Sequence, residues 1–211
     1  MCIRDSQNEV LTVVREQDPE RIVFVPAMGW QDYNYIKYAR VAEEDPNAVV
    51  SFHYYLPMLL SHYKMLAWVG YQGAVQYPGV VIPTQSDADK YPQYASFHKT
   101  TYNADRIMGE MSNAASDGRN AGLAVHCGEF GCSKNVAEAM RLAWFTDMVA
   151  AMEANNIPWT LWECLDGGFG FVDMEYGIYR INCPLLKVLT GKELTDAEAK
   201  VLLQKYGFKT E

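Results

Sequence analysis

Leu123-Ala124-Val125-His126-Cys127-Gly128-Glu129-Phe130-Gly131 is the stretch that decides how this chain is read. A short apolar run ends in a glutamate set between two glycines, and a long helical pattern follows. That order predicts a strand over 123–127 in an α/β sheet, delivering a carboxylate to its C-terminal edge. Active sites of parallel α/β folds are assembled at that edge. The two glycines are expected to let the backbone turn sharply and leave the carboxylate uncovered.

Reading outward, residues 7–17 carry Val10, Leu11, Val13 and Val14 at helical spacing, and Asp18-Pro19 ends that helix. A buried strand is expected over 21–26, running out to Gly29-Trp30, then a short helix or irregular segment over 32–40. A second strand covers 48–55 and stops at Pro57. A long aromatic loop, 59–91, shows no period, and loops of that length in compact domains usually carry function. A helix is expected over 93–115, closed by Gly118, and another over 135–155 with Val136, Met140, Ala143, Trp144, Met148, Val149 and Met152 on one face. Residues 158–162 form the fourth strand, followed by the glycine-rich 166–170 and closing helices over 185–190 and 196–206. Four strands alternating with helices make a parallel α/β sheet with crossover helices. A complete (β/α)8 barrel has eight such units in roughly 250 residues; this sequence supplies four.

The 211 residues are 49% hydrophobic, enough for one folded domain with a substantial core. A net charge of −8 with no basic block argues against nucleic acid or an anionic membrane surface as partner. No apolar run reaches the roughly 18 residues of a membrane span, and Met1 to Ser6 lacks the apolar core of a signal peptide. Five cysteines without paired spacing argue against a disulfide framework and read as small buried hydrophobes. His126-Cys127-x4-Cys132 fits no strong zinc pattern, and strand alternation parts His126 from Cys127. Neither a metal nor another cofactor is expected.

All four strand ends carry distinctive side chains: Trp30, His53-Tyr54-Tyr55, Glu129 and Trp162-Glu163. A sugar-cleaving pocket needs that mixture, a carboxylate to attack the anomeric carbon, His and Tyr to hold it, and Trp faces to stack on pyranose rings. His53-x-Tyr55, Ser61-His62-Tyr63-Lys64 with Trp68 and Tyr77-Pro78-Gly79, Gly128-Glu129-Phe130-Gly131, and Trp159-x-x-Trp162 with Gly167-Gly168-Phe169-Gly170 occur in that order. Together they resemble the C-terminal half of glycoside hydrolase family 5, the cellulase-like retaining glycosidases. The run from Arg15 to Val25 resembles the helix and strand before that family's fifth strand. The resemblance covers about residues 7–206 and implies a (β/α)8 TIM barrel cleaving a β-linked glucan or mannan by double displacement. It implies Glu129 as nucleophile, with Tyr55 hydrogen-bonding it and His53 lining the cleavage subsite. Trp162 is the implied stacking platform, with Trp30, His62 and Trp68 as further cleft-lining residues.

One departure matters. The family's acid/base glutamate stands in an Asn-Glu-Pro motif, whereas here Asn8-Glu9 is followed by Val10, inside a helix. Glu9 therefore reads as a solvated helix residue. Glu163 is the nearest other carboxylate, but alternation turns it away from the face of Trp162. The expectation is a half-barrel of the last four β/α units, a single partial catalytic domain over 1–211 with 1–6 foreign to it, lacking its acid/base and inactive in isolation. Exposed sheet edges would favour self-association, and the full-length parent would be secreted or periplasmic. The competing expectation is a non-catalytic carbohydrate-binding half-barrel; a different α/β-barrel hydrolase, marked by metal dependence, is the weaker third.

Overall fold

A computed structural model of the chain describes residues 3–41, 45–65, 70–165 and 167–210, with side chains from residue 6 onward. In chain order the elements are α1 (Ile3–Gln17), β1 (Val23–Pro26), α2 (Met28–Gln31), β2 (Ala48–Tyr54), α3 (Met58–Ser61), β3 (Gly79–Val80), α4 (Gln85–Lys90), β4 (Thr101–Tyr102) and α5 (Ala104–Ala121). There follow β5 (Ala124–Phe130), α6 (Glu138–Ala154), β6 (Trp159–Leu161), β7 (Val172–Glu175), β8 (Ile178–Ile181), α7 (Cys183–Thr190) and α8 (Asp196–Lys205). Two 3₁₀ segments, Tyr33–Tyr38 and Pro92–Lys99, complete the set. Contacts gather into two compact units, one of Met1–Tyr54, Gly109–Phe130 and Met152–Thr160, the other of Tyr55–Met108, Gly131–Ala151 and Leu161–Glu211.

The first unit holds a sheet of order β1-β2-β5-β6. β1 pairs parallel with β2, and β2 parallel with β5. Crossover helices between parallel strands demand such a sheet, as the alternating sequence pattern predicts. One face is fully packed, with Val50, Phe52, Tyr54, Cys127 and Phe130 at 1% exposure or less. The other face is open where β1 contributes. Ile22 and Phe24 are 61% and 54% exposed, so the strand expected to be buried throughout buries one alternation of its residues. α1 ends where Asp18-Pro19 stops it and begins at Ile3, upstream of the helical spacing. Arg15 secures its end. The guanidinium donates to Asp45 at 2.8 and 3.2 Å and to the Arg21 carbonyl at 2.7 Å, and this contact holds the Asp45 carboxyl below its ordinary pKa. A cavity of about 610 Å³ surrounds this ion pair, at the N-terminal end of β2.

Helix α5 departs from its expected bounds at both ends. Residues 92–99 form a 3₁₀ segment, the β-branched Thr100-Thr101 pair interrupts the helical path, and Asn103 restarts it by accepting from the Arg106 amide at 3.0 Å. Gly118 lies inside the helix, which closes instead before Gly122 at φ 71°. The reason is proximity, because a Cβ on Gly118 would stand 2.0 Å from a Val125 methyl on β5. Gly118→Ala should therefore lower stability by about 1–3 kcal/mol, although helix propensity alone favours alanine by about 1 kcal/mol. Urea denaturation decides the sign, and a stabilised variant would mean that β5 yields easily.

The second unit is built on α6 and the long loop. The buried stripe of α6 is Arg141, Trp144, Phe145, Met148, Val149, Ala151 and Met152, while Met140 and Ala143 sit at its margin. The loop is firmly tied down within this unit. Trp144 Nε1 donates to the Leu56 carbonyl at 3.0 Å, Tyr77 Oη to Asp147 at 2.5 Å, and Ser133 Oγ to the Tyr63 carbonyl at 2.9 Å. Burial, followed by the Asp147 contact, raises the Tyr77 pKa. Within the loop, α3, β3 and α4 form despite the lack of period. The β7–β8 hairpin, with Tyr176 at φ 51° and Gly177 at φ 76° in its turn, follows the fourth strand.

Candidate active site

Strict alternation would put Glu129 on the wrong face of β5. Counting from His126 on the open face, residue 129 would turn toward the packed side and Phe130 outward. A β-bulge reverses this. Phe52 pairs with Cys127, but His53 pairs with Glu129, leaving Gly128 as the extra residue. Downstream of the bulge Phe130 is fully buried, and Glu129 shares a face with His53. Gly128 is required by crowding: a Cβ there would lie 2.5 Å from Ser51 Oγ. Gly131 is similarly confined, with the Trp162 carbonyl 2.3 Å from a built Cβ. Neither glycine adopts positive φ, so both serve close approach and not the sharp turn expected of them.

His53 Nε2 stands 3.4 Å from Glu129 Oε1, with side chains 22% and 27% exposed. Burial lowers the His53 pKa and outweighs the opposing pull of the Glu129 charge. The neutral imidazole therefore neighbours a carboxylate that remains open to solvent. Cys127 packs below, fully buried, its thiol donating to the Glu129 carbonyl at 3.3 Å and its pKa raised by burial. Asp32, just after α2, makes a parallel bridge to His53 through the backbone and accepts from the Asn34 amide and side chain, each at 2.9 Å.

In the second unit, Tyr55, His62 and Phe169 form an aromatic triangle with ring centroids 4.9, 5.8 and 5.2 Å apart. His62 Nδ1 lies 2.9 Å from Ser61 Oγ. Trp162 is 47% exposed, and its peptide with Glu163 is cis. One oxygen of Glu163 is buried without a hydrogen bond among the described residues, against Gly167. Trp30 is 97% exposed, and Glu9 is exposed on α1. Trp68 lies outside the described residues. His126 and Cys127 face opposite sides of β5; His126 packs on Phe24 at 4.7 Å and meets Thr160 Oγ1 at 3.1 Å. The four described cysteines are free. Cys127 and Cys132 are buried, Cys132 with its thiol pKa pushed up to about 12, whereas Cys183 is half-buried and Cys164 is exposed, against the expectation of burial. Sequence reasoning missed Arg141, whose buried guanidinium donates to the carbonyls of Cys132, Phe169 and Gly170.

Burial also lowers the pKa of His62 and His126. A histidine with a folded pKa below its unfolded value of about 6.5 holds fewer protons when folded, so stability rises with pH between the two values. The contribution is complete above about pH 6.5 and is lost as pH falls through the folded pKa. Urea midpoints should accordingly decline from pH 7 to pH 5, and a triple His→Gln variant at 53, 62 and 126 should decline less. Equal declines would remove the histidines from the account.

Comparison with known proteins then supplies the decisive match. Residues 1–168 fit the family "Cellulase (glycosyl hydrolase family 5)". The chain belongs to glycosyl hydrolase family 5. Among curated family relatives, Endoglucanase H of Acetivibrio thermocellus is 25% identical over 177 residues, 84% of this chain and 16% of that protein. Endoglucanase C of the same organism is 22% identical, covering 81% of this chain and 49% of its own length. Among solved structures, the Clostridioides difficile cellulose synthase subunit Z superposes with TM-score 0.68 at 21% identity, over 89% of this chain and 55% of that one. Thermotoga maritima Cel5A in complex with mannotriose gives TM-score 0.64 at 19% identity, over 88% and 53%. The family 5 chain described here thus spans about half of these TIM-barrel structures, and less than half of the curated relatives.

Proposed function

We propose that this chain carries the nucleophile of a retaining glycosidase acting on β-linked glucan or mannan, on the last four β/α units of a TIM barrel. The observation that carries the reading is the Gly128 bulge, which turns the Glu129 carboxylate to the face it shares with His53 at a strand's C-terminal edge. In this reading Glu129 attacks the anomeric carbon as a partner acid protonates the leaving oxygen. The glycosyl–enzyme ester is then hydrolysed by water, with the former acid acting as base. His53, its pKa lowered by burial, sets no fixed cation beside Glu129 to draw down its nucleophilicity. Tyr55, Trp162, Trp30, His62 and Trp68 retain the substrate-binding roles that the family resemblance implies. Glu9, exposed on α1, is not assigned the role of the acid. Relatives named as endoglucanases, and neighbours solved with cellobiose and mannotriose, support the saccharide class.

Covalent capture tests the reading. A 2-deoxy-2-fluoro-β-cellobioside with a dinitrophenyl leaving group needs no acid to react. A mass increment of one 2-deoxy-2-fluoro-cellobiosyl group, with dinitrophenolate released and the adduct mapped to the peptide holding Glu129, is the expected result. Saccharide binding without an adduct would assign the chain to the non-catalytic carbohydrate-binding class.

A further inference from the structure

We propose that Glu110 on helix α5 is a positioning residue for Glu129, acting through the buried phenol of Tyr54 to hold the downstream side of the Gly128 bulge in place. The inference deepens the glycosidase reading above and rests on it for its catalytic meaning.

A bulge is a dislocation in the ladder, and one that aims a side chain has to be fixed where it stands. Upstream, the buried Cys127 thiol reaches past the extra residue and donates to the Glu129 carbonyl. Downstream, Tyr54 pairs with Phe130, one step beyond the His53–Glu129 pair. Both rings lie on the packed face, at 1% and 0% exposure. Phe130 packs edge-on against Trp159 of β6 with centroids 5.2 Å apart, and Tyr54 packs against Tyr33 at 5.6 Å. Apolar packing is non-directional and tolerates sliding, whereas a hydrogen bond fixes both distance and angle.

The Tyr54 hydroxyl supplies that directional bond by donating to Glu110 Oε2. A phenol buried to this depth needs an acceptor, and a carboxylate makes the stronger, charge-assisted kind of bond. Glu110 stands half-buried on α5, the crossover helix that precedes β5. The bond therefore joins the end of β2 to the helix that leads into its neighbour. His53 and Tyr54 are consecutive on β2 and point to opposite faces. Locking Tyr54 thus fixes from behind the backbone that presents His53, whose Nε2 stands 3.4 Å from the Glu129 carboxylate. Tyr54 faces the packed side, so it acts on geometry and not on the sugar.

Two measurements on the whole chain test this. The first is the pull between His53 and Glu129. It is read as the fall in the His53 pKa, by NMR of isotope-labelled histidine, when Glu129→Gln removes the charge. In the Tyr54→Phe and Glu110→Ala backgrounds that fall should shrink to about half, because the pull weakens as the pair separates. The second is capture by the fluoro-glycoside. Each variant should slow capture at saturating glycoside about tenfold, the effect of a small misplacement, and leave the half-saturating concentration within about twofold. Tyr54→Phe and Glu110→Ala combined should be no slower than either alone, as expected of residues acting through one bond. Glu110→Gln, which keeps an acceptor oxygen, should recover most of the capture rate. If Glu110→Ala unfolds, Tyr54→Phe decides alone, since it keeps the ring and its packing. A urea midpoint that falls in Tyr54→Phe while the pull and the capture rate stay unchanged makes the bond merely structural and overturns the proposal. Slowed capture with an unchanged pull overturns it as well. A weakened pull in a chain that forms no adduct keeps the clasp and defeats the glycosidase reading. An adduct on Glu129 with a pull indifferent to Tyr54 does the reverse.

Discussion

Glu129→Gln is expected to abolish covalent capture by the fluoro-glycoside. In any assembly that supplies the acid, it should lower kcat on the order of 10⁴-fold or more, the scale for loss of a covalent nucleophile. Glutamine keeps the volume and the contact with His53 but cannot form the ester. The substitution removes a charge that faces solvent, so urea midpoints should move little, and this separates lost chemistry from lost folding. His53→Gln supplies the contrast. It should slow capture without preventing it, because His53 neighbours the carboxylate and does not react. Adduct formation undiminished in Glu129→Gln, mapped to another residue, would reject the assignment.

Arg141→Leu should be the most destabilising single change in the chain, at about 3–5 kcal/mol, read as a fall in urea midpoint at constant slope. The side chain is 4% exposed and serves the carbonyls of Cys132, Phe169 and Gly170. Removing it strands three buried acceptors at once. Burial already lowers the guanidinium pKa. Arg141→Lys should recover less than half of the loss, because an ammonium cannot reproduce the planar fork that meets several carbonyls from one direction. A leucine variant within about 1 kcal/mol of wild type would mean that those carbonyls find other donors.

Much of this was legible in residue order. Apolar runs bounded by glycine and proline placed all four sheet strands, and Asp18-Pro19 marked a helix end that the structure keeps. What escaped has a shared cause: it depends on partners distant in sequence. Gly118 looked like a terminator, although its role is set by Val125 across the helix–sheet contact. Arg141 drew no reading at all, because nothing local shows that 132, 169 and 170 converge on it. The Thr100-Thr101 break was read through, since helical spacing resumes within a few residues. Glu129 was placed at the strand's C-terminal edge, but for an incomplete reason. The glycine before it was read as a turn, whereas it inserts a step in the ladder.

That inserted step gives β5 two reading frames. Residues 124–127 are written in one, with Val125 and Cys127 committed to the packed side; Glu129 and Phe130 are written in the other. Ironing out the bulge with Gly128 kept in the ladder would drive the carboxylate into apolar packing and push a phenylalanine out to take its place, whereas deleting Gly128 would leave Glu129 opposite His53. The strand is therefore a structural sentence and a chemical one joined by a single-residue comma, and each half is free to change without rewriting the other.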